Sequence, residues 1–273
     1  MEKTRLMNET IQQKLTALRA CLEEMGSAVV AYSGGVDSSL LLKVAHDTLG
    51  DQAMAAMVAS PSQPERERAE AVALAEDIGA SVVILQGHEL EDPNYRANTP
   101  QRCYFCKGHY CDLLVDYAEG QGVEYVVDGS NVDDEGDYRP GTRAAREHGL
   151  RSPLQEAGLT KDDVRAAARE LGLSNWDKPA SACLASRVPY GTSITSDVLS
   201  RIERAEGVLH DLGLRQLRVR HHGDVARIEV PPDDFDEILE QREEIVRALR
   251  GFGYTYVTLD LAGFRSGSMN ETL

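Results

Sequence analysis

The sequence predicts an α/β protein, a parallel doubly wound sheet followed by a smaller α+β domain at the C-terminal end. Three observations lead there. A short apolar, β-branched run, Val29-Val30-Ala31, breaks at Ser33-Gly34-Gly35 and resumes as an amphipathic helix carrying Leu40, Leu41, Leu42 and Val44. Apolar strands then alternate with helical periodicity, the pattern of strand–helix–strand units in a sheet covered on both faces. After about Pro189 the order changes to helix–strand–strand–helix–strand, so the expected domains are residues 1–189 and 190–273.

Taken in order, Ile11, Leu15, Leu18, Leu22 and Met25 recur at three- and four-residue spacing and predict a helix over 8–25. Cys21 flanks that stripe and reads as a small core residue. A strand at 28–32, a loop and a helix at 37–49 follow. Residues 54–59 form a second strand that ends at Ser60-Pro61-Ser62, and 64–79 a charged helix that ends at Gly79. Third and fourth strands are expected at 82–85 and 123–127. In the second domain a helix over 196–212, with Ser196 as its cap, presents Val198, Ile202, Ala205 and Leu209 on one face. Strands at 217–219 and 225–230, a helix at 233–250 and a strand at 254–260 complete the pattern.

Composition narrows the function. No apolar run in the 273 residues reaches the ~20 that a membrane helix needs. Met1-Glu2-Lys3-Thr4-Arg5 leads into a charged helix and not an apolar signal core, so a cytoplasmic, non-membrane protein is expected. A formal charge of −16 argues against a nucleic-acid surface, because Lys and Arg supply most non-specific affinity for phosphates. Five cysteines, at 21, 103, 106, 111 and 183, are too few and too unevenly placed for a secreted disulfide framework.

The loop at 33–39 lies beyond the carboxyl end of the first strand, where ligands of open α/β sheets bind. Gly34 and Gly35 let backbone approach a ligand, and the hydroxyls of Ser33, Ser38 and Ser39 surround a helix start whose free N–H groups favour an anion. The chemistry implied is a pyrophosphate held by amides and hydroxyls, with Asp37 in the same turn. No Gly-Lys-Ser/Thr follows, so this is not a Walker loop, and G-x-G-x-x-G spacing is absent. Ser60 ends the second strand, and Gly129 and Asn131 follow the fourth, so all three belong to the same sheet edge. Asp128, Asp133 and Asp137 are carboxylates of the type that hold Mg²⁺, and Glu206, on the helix before Arg218 and Arg220, is a candidate partner of those arginines or a metal ligand.

Cys103-Tyr104-Phe105-Cys106 is a C-x-x-C, which by itself fits zinc, iron–sulfur, redox chemistry or coincidence. With Cys183 it makes three thiols, which suit a cluster with one open iron or a sulfur-handling thiol with two helpers. Cys111 lies further along an apparent helix among apolar neighbours and reads as core. Arg218 and Arg220 alternate on one face of a strand, where their guanidinium groups suit a phosphate.

Ser33-Gly34-Gly35-Val36-Asp37-Ser38-Ser39 resembles the PP-loop of the ATP pyrophosphatases, whose fold is adenine nucleotide alpha hydrolase-like. Further segments extend the resemblance: Asp128-Gly129-Ser130-Asn131, Asp137-Tyr138-Arg139-Pro140-Gly141, Arg151-Ser152-Pro153-Leu154, Ala182-Cys183-Leu184-Ala185-Ser186-Arg187 and Arg218-Val219-Arg220-His221-His222-Gly223. Together these resemble the LarE family, ATP-dependent sulfur transferases of nickel-pincer nucleotide (lactate racemase cofactor) biosynthesis. The resemblance implies ATP and Mg²⁺ as cofactors and a small nucleotide substrate, pyridinium-3,5-biscarboxylic acid mononucleotide, whose carboxylates are adenylated and converted to thiocarboxylates. Arg218 and Arg220 match arginines that hold the substrate phosphate, and Cys183 matches a cysteine that in one version gives up its own sulfur. The additional Cys103 and Cys106 match a three-cysteine version that carries a [4Fe-4S] cluster, which is the reading adopted. A homo-oligomer, a substrate-binding or oligomerising second domain, and other enzymes of the same biosynthesis as partners are expected on the same ground. The rivals are a PP-loop tRNA thiolase, which the acidic charge disfavours, an ammonia-using synthetase such as NAD or GMP synthetase, which needs no cysteine triad, and a non-enzymatic nucleotide-binding domain.

Overall fold

A computed structural model describes residues 2–134, 140–179 and 182–265. Asp137, Tyr138 and Arg139 of the proposed acidic turn, and Ala180 and Ser181, lie outside the described residues. The chain divides into two compact units that are discontinuous in sequence. A single cut at Pro189 therefore describes them incompletely: the second takes in 182–273 together with 61–64 and 90–102. Among the described residues no helix is long and apolar enough to cross a membrane.

The first unit opens with α1 (Glu2–Met25), followed by β1 (Ala28–Ala31), α2 (Val36–Leu49), β2 (Ala53–Ala59), α3 (Glu65–Ile78) and β3 (Val82–Gln86). After the segment 90–102 of the second unit, which carries α4 (Pro93–Arg96), the first unit resumes with α5 (Arg102–Gln121), β4 (Val126–Val127), α6 (Pro140–Glu147), α7 (Pro153–Glu156) and α8 (Lys161–Glu170). The four strands are parallel in the order β3-β2-β1-β4, so the chain reverses its winding between β1 and β4. Period-two alternation divides the core. Ala28, Val30, Ala55 and Met57 join Leu15 and Leu18 of α1, Leu41 of α2 and Val164 of α8 on one face. Val29, Ala56 and Val58 join Cys111 and Leu114 of α5 and Ala145 of α6 on the other. Both faces are covered, as a parallel sheet requires.

The expected fourth strand is shorter than its apolar run. Only Val126 and Val127 pair with β1, and Val123 fills the core instead. The run stops because Asp128 starts a turn, its Oδ1 accepting from the Ser130 amide at 3.1 Å. On the far side of β4, Arg151 forms a single parallel bridge with Val127.

In the second unit α9 (Ser196–Asp211) precedes the antiparallel pair β5 (Arg218–His222) and β6 (Val225–Glu229). Then α10 (Phe235–Glu240) and α11 (Arg242–Gly251) lead to β7 (Tyr256–Leu259), parallel to β6. The cap of α9 is Thr195 and not Ser196, its hydroxyl accepting from the Val198 amide at 3.2 Å. The helix expected over 233–250 is interrupted at Gln241, whose ψ of 6° ends α10 and begins α11. Leu209, Val219, Ile228, Ile245 and Leu249 fill the core between helices and sheet. The early segments belong here because their polar groups do. The fully buried Asn98 donates to the carbonyls of Pro189 at 2.8 Å and Thr192 at 3.0 Å. Arg102 donates to the Ala185 carbonyl at 3.0 Å, and the Ser62 carbonyl accepts from the Leu184 amide at 2.7 Å.

At the end of β1 the chain must turn beneath α3. Gly34 has φ of 74°, and a Cβ there would lie 2.3 Å from the Cβ of Ala71. Gly34→Ala is expected to cost about 2–4 kcal/mol, combining a left-handed backbone penalty of about 1–2 kcal/mol with overpacking. Gly26→Ala, at φ of 70° with nothing within 4 Å, carries the backbone penalty alone. Urea unfolding midpoints of the two variants measure the difference, and equal losses would remove the Ala71 contact from the explanation.

Candidate active site

The loop after β1 is held by its own hydroxyls. Ser33 Oγ and Ser38 Oγ lie 3.1 Å apart, and Ser38 Oγ donates to the Gly35 carbonyl at 3.1 Å. The Ser33 amide donates to Ser38 Oγ at 3.3 Å. No side chain caps the first turn of α2, whose N-cap is Gly35. Orphan amides at a helix start, beside two glycines, form an anion-binding end. Gly129 faces it from the β4 loop: a Cβ there would come within 2.8 Å of the Ser38 nitrogen. Residues predicted from two distant segments are therefore brought together at one sheet edge.

Ser39 lies on the inner side of the loop. It is fully buried, and its Oγ accepts from Asn175 Nδ2 at 3.0 Å, while the same amide donates to the Gly34 carbonyl at 3.1 Å. It braces the loop from behind. Tyr32 supports the same turn, its hydroxyl donating to the Ala71 carbonyl at 2.8 Å, and burial raises its pKa.

Asp37 accepts from Asn131 Nδ2 at 3.0 Å and is ion-paired with Lys161 Nζ. Lys161 stands at the start of α8, which carries a complete Thr160–Asp163 capping box, and its amide donates to Asp133 Oδ2 at 2.7 Å. A lysine thus reaches this edge after all, from far along the chain. Asp128 Oδ1 accepts from Ser152 Oγ at 2.8 Å, and Lys107 Nζ lies 4.0 Å from its other oxygen. Asp128 and Asp133 are thus engaged as braces of the loop. Ser60, at the end of β2, is buried and donates to the fully buried Glu89.

Cys103 and Cys106 occupy the first turns of α5 at i, i+3 spacing, one exposed and the other partly buried. Cys111 is in the core, and burial pushes its thiol up to about 11. Cys21 sits at the margin of the core, its thiol donating to Glu156 at 3.2 Å; burial first, then Glu156, raises it to about 11. Cys183, in the second unit, is exposed and precedes a short turn at Leu184–Arg187. Among the described residues no three His, Cys, Asp or Glu side chains are grouped so as to hold a metal ion.

The two strand arginines differ. Arg220 is buried, paired with Glu229 at 2.9 Å, and donates to the Ser186 carbonyl at 2.7 Å. Among the described residues Arg218 has no carboxylate partner; it donates to the Leu217 carbonyl at 2.9 Å and lies 5.0 Å over the Phe264 ring. Burial, then the neighbouring Arg187, lowers its pKa to about 10. A desolvated cation of this kind is a ready anion partner. Glu206, expected as a partner of Arg218 and Arg220 or a metal ligand, gives both oxygens to a different arginine, Arg187, at 2.9 Å, with Oε1 also accepting the Val219 amide at 2.8 Å.

Sequence reading missed Lys161, Asn175, Glu89 and Arg187. The first two act through contacts across more than a hundred residues, which spacing does not carry. Arg187 was legible only as the last residue of the Cys183 segment.

A family model described as NAD synthase matches residues 10–93, which hold the loop and the first three strands. An uncharacterized protein of Synechocystis sp. is 46% identical over 265 residues, covering 96% of this chain and 99% of that protein. The pyridinium-3,5-bisthiocarboxylic acid mononucleotide synthase of Lactiplantibacillus plantarum is 44% identical over 265 residues, covering 97% of this chain and 96% of that protein. The glutamine-hydrolyzing GMP synthase of Aeropyrum pernix is 27% identical over 215 residues, covering 69% of this chain and 40% of that protein. With the phosphate-type loop on a parallel sheet and identity spanning nearly both full lengths, the chain belongs to the LarE family of ATP-dependent sulfur transferases in the PP-loop superfamily.

Proposed function

We propose that this chain converts pyridinium-3,5-biscarboxylic acid mononucleotide to its thiocarboxylate forms with ATP, as a step of nickel-pincer nucleotide cofactor biosynthesis. The near full-length identity to the named synthase carries this reading. A carboxylate oxygen attacks the α-phosphorus of ATP and pyrophosphate leaves, giving an acyl-adenylate. A sulfur nucleophile then attacks the acyl carbon and AMP leaves with the carboxylate oxygen. Ser33, Gly34, Gly35, Asp37, Ser38, Gly129 and Asn131 are assigned to the ATP phosphates, with Ser60 at the neighbouring strand end. The uncapped start of α2 supports this, since oriented amides stabilise charge developing on the leaving pyrophosphate. Asp128 and Asp133 accept protein donors through one oxygen each and are the residues that would hold Mg²⁺, which would offset charge on the ATP phosphates; both oxygens of Glu206 face Arg187. Arg218, a half-buried cation without a carboxylate partner among the described residues, is assigned to the substrate phosphate. Arg220 is assigned beside it.

For the sulfur, Cys103, Cys106 and Cys183 are the donor set we assign to a [4Fe-4S] cluster. Their chemistry fits: two thiols on one helical turn, and a third exposed on a loop. When bound, such a cluster leaves one iron for a sulfide, a soft nucleophile. The exposure of Cys183 on a pinned loop favours a second reading, in which its own thiolate attacks. A base then removes the Cα proton, the Cβ–S bond breaks, and thiocarboxylate and dehydroalanine remain. A second domain that binds substrate or forms oligomer contacts, and other enzymes of the same biosynthesis as partners, belong to this reading.

Three outcomes test it. Asp37→Ala or Ser38→Ala is expected to slow pyrophosphate release from ATP by about 10²-fold or more while far-UV circular dichroism stays native. Retained release in both variants would refute the ATP assignment. Arg218→Ala is expected to weaken nucleotide-substrate binding by about 1–3 kcal/mol in calorimetry with ATP affinity unchanged. Arg220→Ala leaves Glu229 buried beside fewer cations and should also lower the unfolding midpoint. Normal substrate affinity in Arg218→Ala would remove it from the site. Finally, single Cys→Ala changes at 103, 106 or 183 are expected to lose iron, after anaerobic reconstitution, together with sulfur transfer. Wild-type protein should then turn over more than once with sulfide and keep its Cys183 mass. A metal-free active protein that loses about 34 Da at Cys183, the mass of H₂S, would establish the sacrificial reading instead.

A further inference from the structure

We infer that Arg187 and Glu206 are positioning residues for Cys183, fixing the backbone on both sides of its α-carbon so that the thiol alone is left free. This rests on reading Cys183 as the residue that handles sulfur. Cys183 is exposed, yet the turn that carries it is tied at every level. The Arg187 guanidinium donates through Nη1 to the carbonyls of Ala182 and, at 3.1 Å, Cys183, and to Ser186 Oγ at 3.0 Å. Cys183 O also accepts the Ser186 amide at 2.9 Å, and the next amide, Leu184, donates to the Ser62 carbonyl at 2.7 Å.

The fork is itself held. Arg187 Nε and Nη2 each lie 2.9 Å from one oxygen of Glu206, and the two residues are only 3% and 4% exposed. Glu206 is anchored on α9 and receives the Val219 amide of β5, so the cysteine turn is referred to the rigid part of this unit. With its donors turned to protein acceptors, Arg187 acts through Cys183. Lysine has one point donor group where arginine has a planar fork, and cannot serve carboxylate and carbonyls in this geometry. The Ser186 carbonyl, on the same turn, accepts from Arg220, which couples the turn to the strand that also carries Arg218.

The test uses Arg187→Lys and Glu206→Gln, two variants that keep the size of the buried pair. Amide hydrogen exchange of the peptide covering 182–187 is expected to quicken about 10-fold or more while peptides of β5, β6 and β7 keep their rates. The kcat for sulfur transfer should fall about 10-fold or more, with KM for the nucleotide substrate and the rate of pyrophosphate release within about twofold of wild type. Unchanged exchange in both variants, or faster exchange with undiminished transfer, overturns the inference. So does exchange that quickens throughout the β5–β7 sheet with a raised KM, which would make the pair merely structural. If wild-type protein transfers no sulfur, the functional reading fails separately, and the exchange data still decide whether the pair pins the turn.

Discussion

Gly34 lies so close to Ala71 that one added methyl group would overlap it, and the carboxyl edge of the parallel sheet is arranged around that approach. The close contact brings α3 over the loop, where Tyr32 reaches the Ala71 carbonyl. It also orients Gly35 as the start of α2 with the first-turn amides uncapped. A side chain at 34 would move the loop, and with it Ser33, Ser38 and the facing Gly129. The requirement is one of space and backbone dihedral together, which is why glycine serves at this point. Asn175, Lys161 and Asn131 then secure the turn from three later segments.

The second unit solves a different problem, the burial of several like charges. Arg187, Arg218 and Arg220 act on one another, with Glu206 and Glu229 among them. Arg187 and Arg220 each face a carboxylate at 2.9 Å, and Arg218 faces none among the described residues. Partial desolvation makes a cation with no facing carboxylate costly. The same glutamate that balances Arg187 receives a backbone amide of β5, so charge balance and backbone placement are one device.

Much of the sheet was legible in the sequence because β1 and β2 are buried on both faces, which makes their apolar runs continuous, and the partly exposed β3 keeps the same apolar, β-branched composition. β1, β2 and β3 fall within a residue or so of expectation, and the phosphate-type loop lies where the glycines and hydroxyls indicated. Errors came where a local signal met a tertiary one. Val123 is apolar enough for a strand but packs into the core, so β4 keeps only two residues. Ser196 is a good cap by residue type, yet Thr195 has the extended backbone a cap needs.

By itself the sequence determined the fold class, the loop and its chemistry, and the residue types available for sulfur and phosphate. All of these are written in local spacing and periodicity. Only the tertiary structure decided which groups are engaged and which are free. Glu206 faces Arg187, Asp128 and Asp133 each accept a protein donor, Arg218 has no carboxylate partner among the described residues, and Lys161 is the lysine paired with Asp37 at the loop. The physical reason is that a charged group's role depends on what shares its desolvated surroundings. Lys161 lies 28 residues along the chain from Asp133 and 124 from Asp37, distances over which sequence spacing carries no geometry.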